Sequence, residues 1–205
     1  GLWPTRRPLE TQRGGTGKPR HQTTRLRNQV STPARWKKPV LIAGGILLIG
    51  ALGFWLWLPS NGLNAARKFI PWKFGEVIHT TPKELNEWLQ DSNRPTPQLW
   101  DIRRADEFSV SHLPNARHVP PETSDTDLKK LLQETKLPIV VYCAVGYRSA
   151  KMAQKLMVLG HTNVINLEGA IFAWATEGNS LEGSNKVHPY NAMGRRMLRN
   201  DLVAD

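Results

Sequence analysis

The sequence predicts a small α/β domain, a parallel sheet flanked by helices, preceded by one transmembrane helix. Three observations carry this expectation. Short apolar runs alternate with segments of helical periodicity from residue 76 onward, the pattern of βα units. Val40–Leu58 is a stretch of 19 residues without a charge or a strongly polar side chain. The charge is also uneven: residues 1–38 carry ten Lys/Arg and one acid, whereas the other 167 residues hold 18 basic and 16 acidic groups. The net charge of +11 therefore belongs mostly to an arm, and the folded part is nearly neutral.

Residues 1–38 are rich in Pro, Gly, Thr and Arg, with few apolar side chains and no period. Such a chain cannot bury enough surface to offset the entropy of ordering, so a disordered arm is expected. Its charge suits a solvated tail or contact with anionic headgroups, and nucleic acid is not expected as a partner. Two targeting readings stay open. The arm is Arg-rich and acid-poor like an organellar transit segment, and Gly1-Leu2-Trp3-Pro4-Thr5 fits N-myristoylation if a Met precedes it.

Residues 39–58 are expected to span a membrane. As a helix, Val40–Leu58 measures roughly 28 Å, against a bilayer core of about 30 Å. Trp36, Lys37 and Lys38 at one end, and Trp55, Trp57 and Pro59 at the other, suit interfacial anchors. A cleaved signal peptide is the rival, but its basic leader is long and Leu63-Asn64-Ala65 is a poor cleavage site. Gly44, Gly45, Gly50 and Gly53 give no G-x-x-x-G spacing, so no helix dimer is expected. Ten basic residues precede the span and only Arg67, Lys68 and Lys73 follow closely, which places the arm in the cytoplasm and the domain on the far side.

Residues 59–75 read as a polar linker and 76–182 as the folded domain. Thr81-Pro82-Lys83-Glu84 is an N-cap, a Pro at the first helical position and a capping-box Glu, with Leu85, Trp88 and Leu89 on one face of the helix that follows. Gln98–Ile102 is a strand ending in a charged turn, and Ala105–Phe108 opens a short helix. His112–Asn115 turns the chain before Ala116–Val119. Thr126–Thr135 is helical with Leu128, Leu131 and Leu132 inward. Ile139–Tyr142 is the central strand, and Ser149–Leu159 a helix closed by Gly160. Val164–Asn166 is a further strand, and Ile171, Phe172 and Trp174 lie on a helix after Gly169. Trp88, Trp100 and Trp174 are assigned to the core. Residues 183–205 form a tail that docks either along the domain or toward the membrane.

The chemistry concentrates after the central strand, where the chain reads Cys143-Ala144-Val145-Gly146-Tyr147-Arg148. Cys143 is the only cysteine, so no internal disulfide is possible and the compartment is not fixed by cysteine usage. A lone thiol at the exit of a buried strand, on a tight loop ending in Arg at a helix N-terminus, lies in positive potential from backbone N–H groups, the helix dipole and Arg148. Such surroundings favour the thiolate, the nucleophilic form of cysteine. The alternative is a small buried apolar residue, the usual role of a free cysteine. Gly146 is expected to supply a backbone conformation with φ > 0.

Cys143-Ala144-Val145-Gly146-Tyr147-Arg148-Ser149 resembles the active loop of the rhodanese family. So do Trp100-Asp101-Ile102-Arg103 with Glu107-Phe108, then His112-Leu113-Pro114-Asn115-Ala116, and Gly169-Ala170-Ile171-Phe172-Ala173-Trp174. The likeness covers residues 76–180 in order. This chain departs from the family pattern at Asn115 and Ala170, where glycine is common, and both departures concern turn geometry. The resemblance implies a thiosulfate sulfurtransferase with a rhodanese-like fold. Cys143 would attack the sulfane sulfur of a donor such as thiosulfate and carry it as a persulfide to a thiol, cyanide or protein acceptor. The N–H groups of Ala144, Val145, Gly146, Tyr147 and Arg148 would cradle the anionic donor, with Arg148 adding charge or bracing the loop. Asp101 and Arg103 would form a buried structural ion pair. No cofactor and no metal are implied, and the lipid bilayer is the remaining partner.

His112 and His118 lack a neighbour at metal-ligand spacing and are read as solvated turn residues. A cysteine phosphatase is the enzyme alternative, but its loop encloses one residue more than the four between Cys143 and Arg148. A non-catalytic adaptor, binding partners through the arm and the tail Val187–Tyr190 and Arg195–Met197, is the alternative from another class.

Overall fold

The structure is a computed structural model that describes residues 37–205. The expectations for the arm up to Trp36 fall outside the described residues. The uncharged run is helical, but the helix does not stop at Leu58. Helix α1 (Lys37–Lys73) continues to Lys73, with a bend of 93° between Ile42–Leu56 and Asn61–Lys73. Among the described residues no single helix is long and apolar enough to cross a membrane; the bent pair meets that test only together. Within the expected linker 59–75, residues 59–73 are thus helical. Leu63, Ala66 and Ile70 recur at helical spacing and pack on the domain, with Ile70 and Phe74 buried in its core.

The domain is built on a five-stranded parallel sheet. In chain order its strands are β1 (Ile78–Thr80), β2 (Gln98–Asp101), β4 (Arg117–His118), β5 (Ile139–Tyr142) and β6 (Val164–Leu167), in the spatial order β1-β6-β5-β2-β4. Helices α2 (Pro82–Gln90), α4 (Asp125–Gln133), α5 (Tyr147–Val158) and α6 (Ala170–Thr176) cover the two faces. The expected capping box is formed: Thr81 Oγ1 accepts from the Glu84 amide at 3.2 Å, and Glu84 Oε2 accepts from the Thr81 amide at 2.8 Å.

Alternation along β5 sorts its side chains between two cores. Val140 and Tyr142 pack with Leu85, Phe172 and Trp174, whereas Ile139, Val141 and then Cys143 pack with Leu128, Ala153 and Leu156. Cys143 therefore inherits the direction set by the strand and points to the α5 side. The connections from β2 and β5, neighbours in the sheet, run to opposite sides, so their carboxyl ends form the switch point at which open α/β sheets place ligands.

The chain after residue 182 is part of the fold, so the expected boundary there does not end the packed core. Strand β7 (Glu182–Gly183) pairs antiparallel with β3 (Ser111–His112), and a parallel bridge joins Val187 to Val203. Val187, Leu198 and Val203 are buried in the core that contains Phe172. Between them lies helix α7 (Ala192–Met197), capped by the Asn191 side chain, which accepts from the Gly194 amide at 2.8 Å.

Candidate active site

The site lies at the carboxyl ends of β2 and β5. Cys143 follows β5 directly and is 1% exposed. The Gly146 amide donates to Cys143 Sγ at 3.2 Å, and the Ser149 hydroxyl lies 3.5 Å from the same sulfur. Gly146 is the N-cap of α5, so the sulfur sits at the positive end of a twelve-residue helix. The turn needs glycine: Gly146 has φ +106°, and an added Cβ would approach the Leu167 carbonyl oxygen to 3.2 Å. The first turn of α6 holds the loop from behind. The Ile171 amide donates to the Cys143 carbonyl at 3.2 Å and the Phe172 amide to that of Ala144 at 3.1 Å.

Two arginine–carboxylate pairs flank the loop. Asp101 and Arg103 are both fully buried, with Arg103 Nη2 2.7 Å from Asp101 Oδ2 and 2.6 Å from the Ser111 carbonyl. Burial pulls the Arg103 guanidinium down, but the bonds to Asp101 outweigh it and hold it above its ordinary value. The second pair joins Arg148 to Glu107 of helix α3 (Ala105–Val110) through two bonds, of 2.9 and 2.8 Å. Burial pushes the Glu107 carboxyl up, yet the Arg148 bonds and charge hold it below the usual range. Burial likewise pulls Arg148 down, and Glu107 with the nearby Cys143 more than restores it, so Arg148 stays charged.

His112 and His118 are corrected. Each lies in a short strand and is half-buried, stacking on Phe108 with ring centroids 4.0 and 4.5 Å apart. His112 Nδ1 lies 3.2 Å from the Phe108 carbonyl, and His118 Nε2 lies 2.9 Å from that of Arg103. They brace α3, which presents Glu107, and among the described residues no group of three His, Cys, Asp or Glu side chains is placed to hold a metal ion.

The profile of the rhodanese-like domain matches residues 81–177. A sulfurtransferase from Allochromatium vinosum is 32% identical over 80 residues, covering 39% of this chain and 73% of that protein. The chain belongs to the rhodanese-like family. Other relatives are longer. The probable adenylyltransferase/sulfurtransferase MoeZ of Mycobacterium tuberculosis is 35% identical over 99 residues, 47% of this chain and 24% of that protein. A tRNA uridine(34) hydroxylase of Photorhabdus laumondii is 32% identical over 146 residues, 66% of this chain and 40% of that protein. The chain thus spans about a quarter and two fifths of these two relatives. The two departures from the rhodanese pattern fall on left-handed backbone, Asn115 with φ 58° and Ala170 with φ 47°. Asparagine tolerates that region; alanine is strained there.

The structure brings the loop Cys143–Arg148 and the Asp101–Arg103 pair to one end of the rhodanese-like sheet. Sequence reasoning left three neighbours out of the site: Glu107, Ser149 and Tyr190. Glu107 and Ser149 stand inside the segments that carry the family resemblance, so their residue types were in view. Tyr190 comes from the chain beyond the profile match and had no signal; its ring lies over the Arg148 guanidinium, 4.3 Å from centroid to Cζ.

Proposed function

We propose that the protein is a sulfurtransferase that moves sulfane sulfur from a small anionic donor such as thiosulfate to a thiophilic acceptor through a persulfide on Cys143. The observation that carries this reading is the placement of Sγ at the α5 N-cap, 3.2 Å from the Gly146 amide, in a loop that closes on a charged Arg148. The thiolate attacks the outer sulfur of thiosulfate, a new S–S bond forms, and sulfite leaves with the electron pair of the old one. The terminal persulfide sulfur is then taken by cyanide or a thiolate, which returns the Cys143 thiolate. No oxidant or reductant enters. The amides of Ala144 to Arg148 are the donors for the negative charge on donor and persulfide. With Cys143 1% exposed, a small donor is favoured over a bulky one.

We also propose that Val40–Leu58 anchors the protein in a bilayer, with the basic arm cytoplasmic and the domain on the far side. The absence of charge supports the anchor, as do side chains such as Leu47, Leu48 and Ile49, which are 73–74% exposed.

The test is thiosulfate:cyanide sulfurtransferase activity of the full chain beside Cys143→Ser, with mass spectrometry after thiosulfate alone. Thiocyanate and a mass gain of one sulfur, both lost in the variant, are expected. A folded protein that gives neither would shift the assignment to a binding module. Protease protection in sealed vesicles checks the anchor and its orientation, and a domain cleaved from the cytoplasmic side would reverse the orientation.

A further inference from the structure

The chain beyond the profile match builds a strained loop onto the active-site arginine. Val187 is fixed at the base of this loop, its amide donating to the Leu202 carbonyl at 2.7 Å while its own carbonyl accepts from the Ala204 amide at 3.0 Å. At the tip Tyr190 has φ +66°, a left-handed conformation that is an outlier for a bulky aromatic residue. Its amide donates to His188 Nδ1 at 3.0 Å. On the far side the chain is locked by close approach, since a Cβ at Gly194 would meet the Pro189 carbonyl oxygen and the Phe172 ring. This packing sets the Tyr190 ring 4.3 Å from Arg148 Cζ and 5.2 Å from Arg104 Cζ. Arg148 is thereby enclosed on two sides, its edge by Glu107 and its face by Tyr190.

We infer that Tyr190 is a positioning residue for the sulfur-transfer loop: its ring clamps Arg148 against Glu107, so that the guanidinium charge is held in one place at the end of the loop that begins at Cys143. The inference rests on the sulfur-transfer reading of the same loop. Backbone strain at an aromatic residue that touches an active-site cation, rather than at a free loop tip, is what points to function. Without the ring, Arg148 keeps its bonds to Glu107 but gains an open face to water, and its field at the sulfur weakens.

The test uses the full chain and two readouts. The first is the ratio of Cys143 alkylation rates by iodoacetate and iodoacetamide, similar reagents of which only one is anionic. The second is the rate of persulfide formation from thiosulfate. Tyr190→Ala is expected to lower the iodoacetate/iodoacetamide ratio by about fivefold and to raise KM for thiosulfate by a similar factor with kcat little changed. Tyr190→Phe keeps both near wild type, because the ring and not the hydroxyl does the clamping. Tyr190→Ala combined with Arg148→Ala is expected to lower the ratio no further than Arg148→Ala alone. A general loosening of the domain would change the two reagents' rates equally, and that result, or additive effects in the double variant, would overturn the proposal. A wild type that forms no persulfide would sink the sulfur-transfer reading, while the alkylation ratio still decides for or against the clamp.

Discussion

The two arginine–carboxylate pairs beside the loop are built from the same groups and differ in what surrounds them. In Asp101–Arg103 both side chains are at 0% exposure, and the guanidinium also bonds the Ser111 carbonyl. In Glu107–Arg148 the carboxylate is at 0% but the arginine, which closes the loop that begins at Cys143, is 24% exposed. The first pair ties the end of β2 to β3 and leaves its arginine no access to a ligand. The second ties α3 to the start of α5 and leaves part of its arginine at the surface. A buried pair is costly to break because one charge is left without a partner, whereas a pair at the mouth of a site can act on what enters. On the sulfur-transfer reading proposed above, the difference fits Asp101–Arg103 to architecture and Glu107–Arg148 to the site.

The largest effect expected is from Asp101→Ala. It leaves the Arg103 charge buried without its carboxylate, and a loss of about 3–5 kcal/mol in unfolding free energy is expected by denaturant titration. Arg103→Lys comes next. An ammonium cannot keep two bonds to Asp101 and one to Ser111 in the same plane, and a loss of roughly 2–4 kcal/mol is expected. A loss under about 1 kcal/mol in either variant would erase the distinction between the pairs.

The comparison also shows what a sequence exposes. The run Ile139–Arg148 was legible because a buried strand, a lone thiol, a glycine and an arginine fall within ten residues, and local rules act at that range. Asp101 and Arg103 are two apart, so their pairing was legible through the family pattern. Glu107 and Arg148 lie 41 positions apart, and only the fold brings them together. The three-residue strand Ile78–Thr80 was missed because it is too short to show a period. The helix that runs on to Lys73 was hidden by Asn61, Asn64 and the charges, although one of them, Arg67, turns to the domain and pairs with Glu177 at 2.8 Å. The tail could be assigned neither to the domain nor to the membrane because Val187, Leu198 and Val203 are spread through a polar stretch without a period, yet all three are buried in one core. His112 and His118 read as turn residues because stacking on Phe108 is a tertiary contact.

Glu107→Gln tests the second pair from its buried side and should cost less, about 1–3 kcal/mol at neutral pH, because Arg148 can turn toward solvent. The sign of its pH dependence follows from the lowered Glu107 carboxyl. A carboxylate held below its ordinary value of about 4.3 stabilises the fold fully above that value and loses the contribution as pH falls through the folded one. The wild type should therefore lose its advantage over Glu107→Gln on acidification below about pH 4.3, so that the two stability curves converge. Curves that stay parallel into acid would mean that the ionised carboxylate contributes nothing.

Arg148→Lys has the smallest expected effect on stability and sharpens the contrast most. The same exchange that disrupts the buried pair should here change unfolding free energy by under about 1 kcal/mol, since a lysine at this partly exposed position keeps its charge in contact with water and with one Glu107 oxygen. Function should not be spared equally. The planar fork that meets both Glu107 oxygens and presents a face to Tyr190 is lost, and an ammonium on a flexible stem keeps charge near the loop without fixing its direction. Thermal unfolding close to wild type, together with slower persulfide formation, is the expected outcome. Equal losses in stability for Arg103→Lys and Arg148→Lys would make both arginines structural and leave the charge near Cys143 without a role in sulfur transfer.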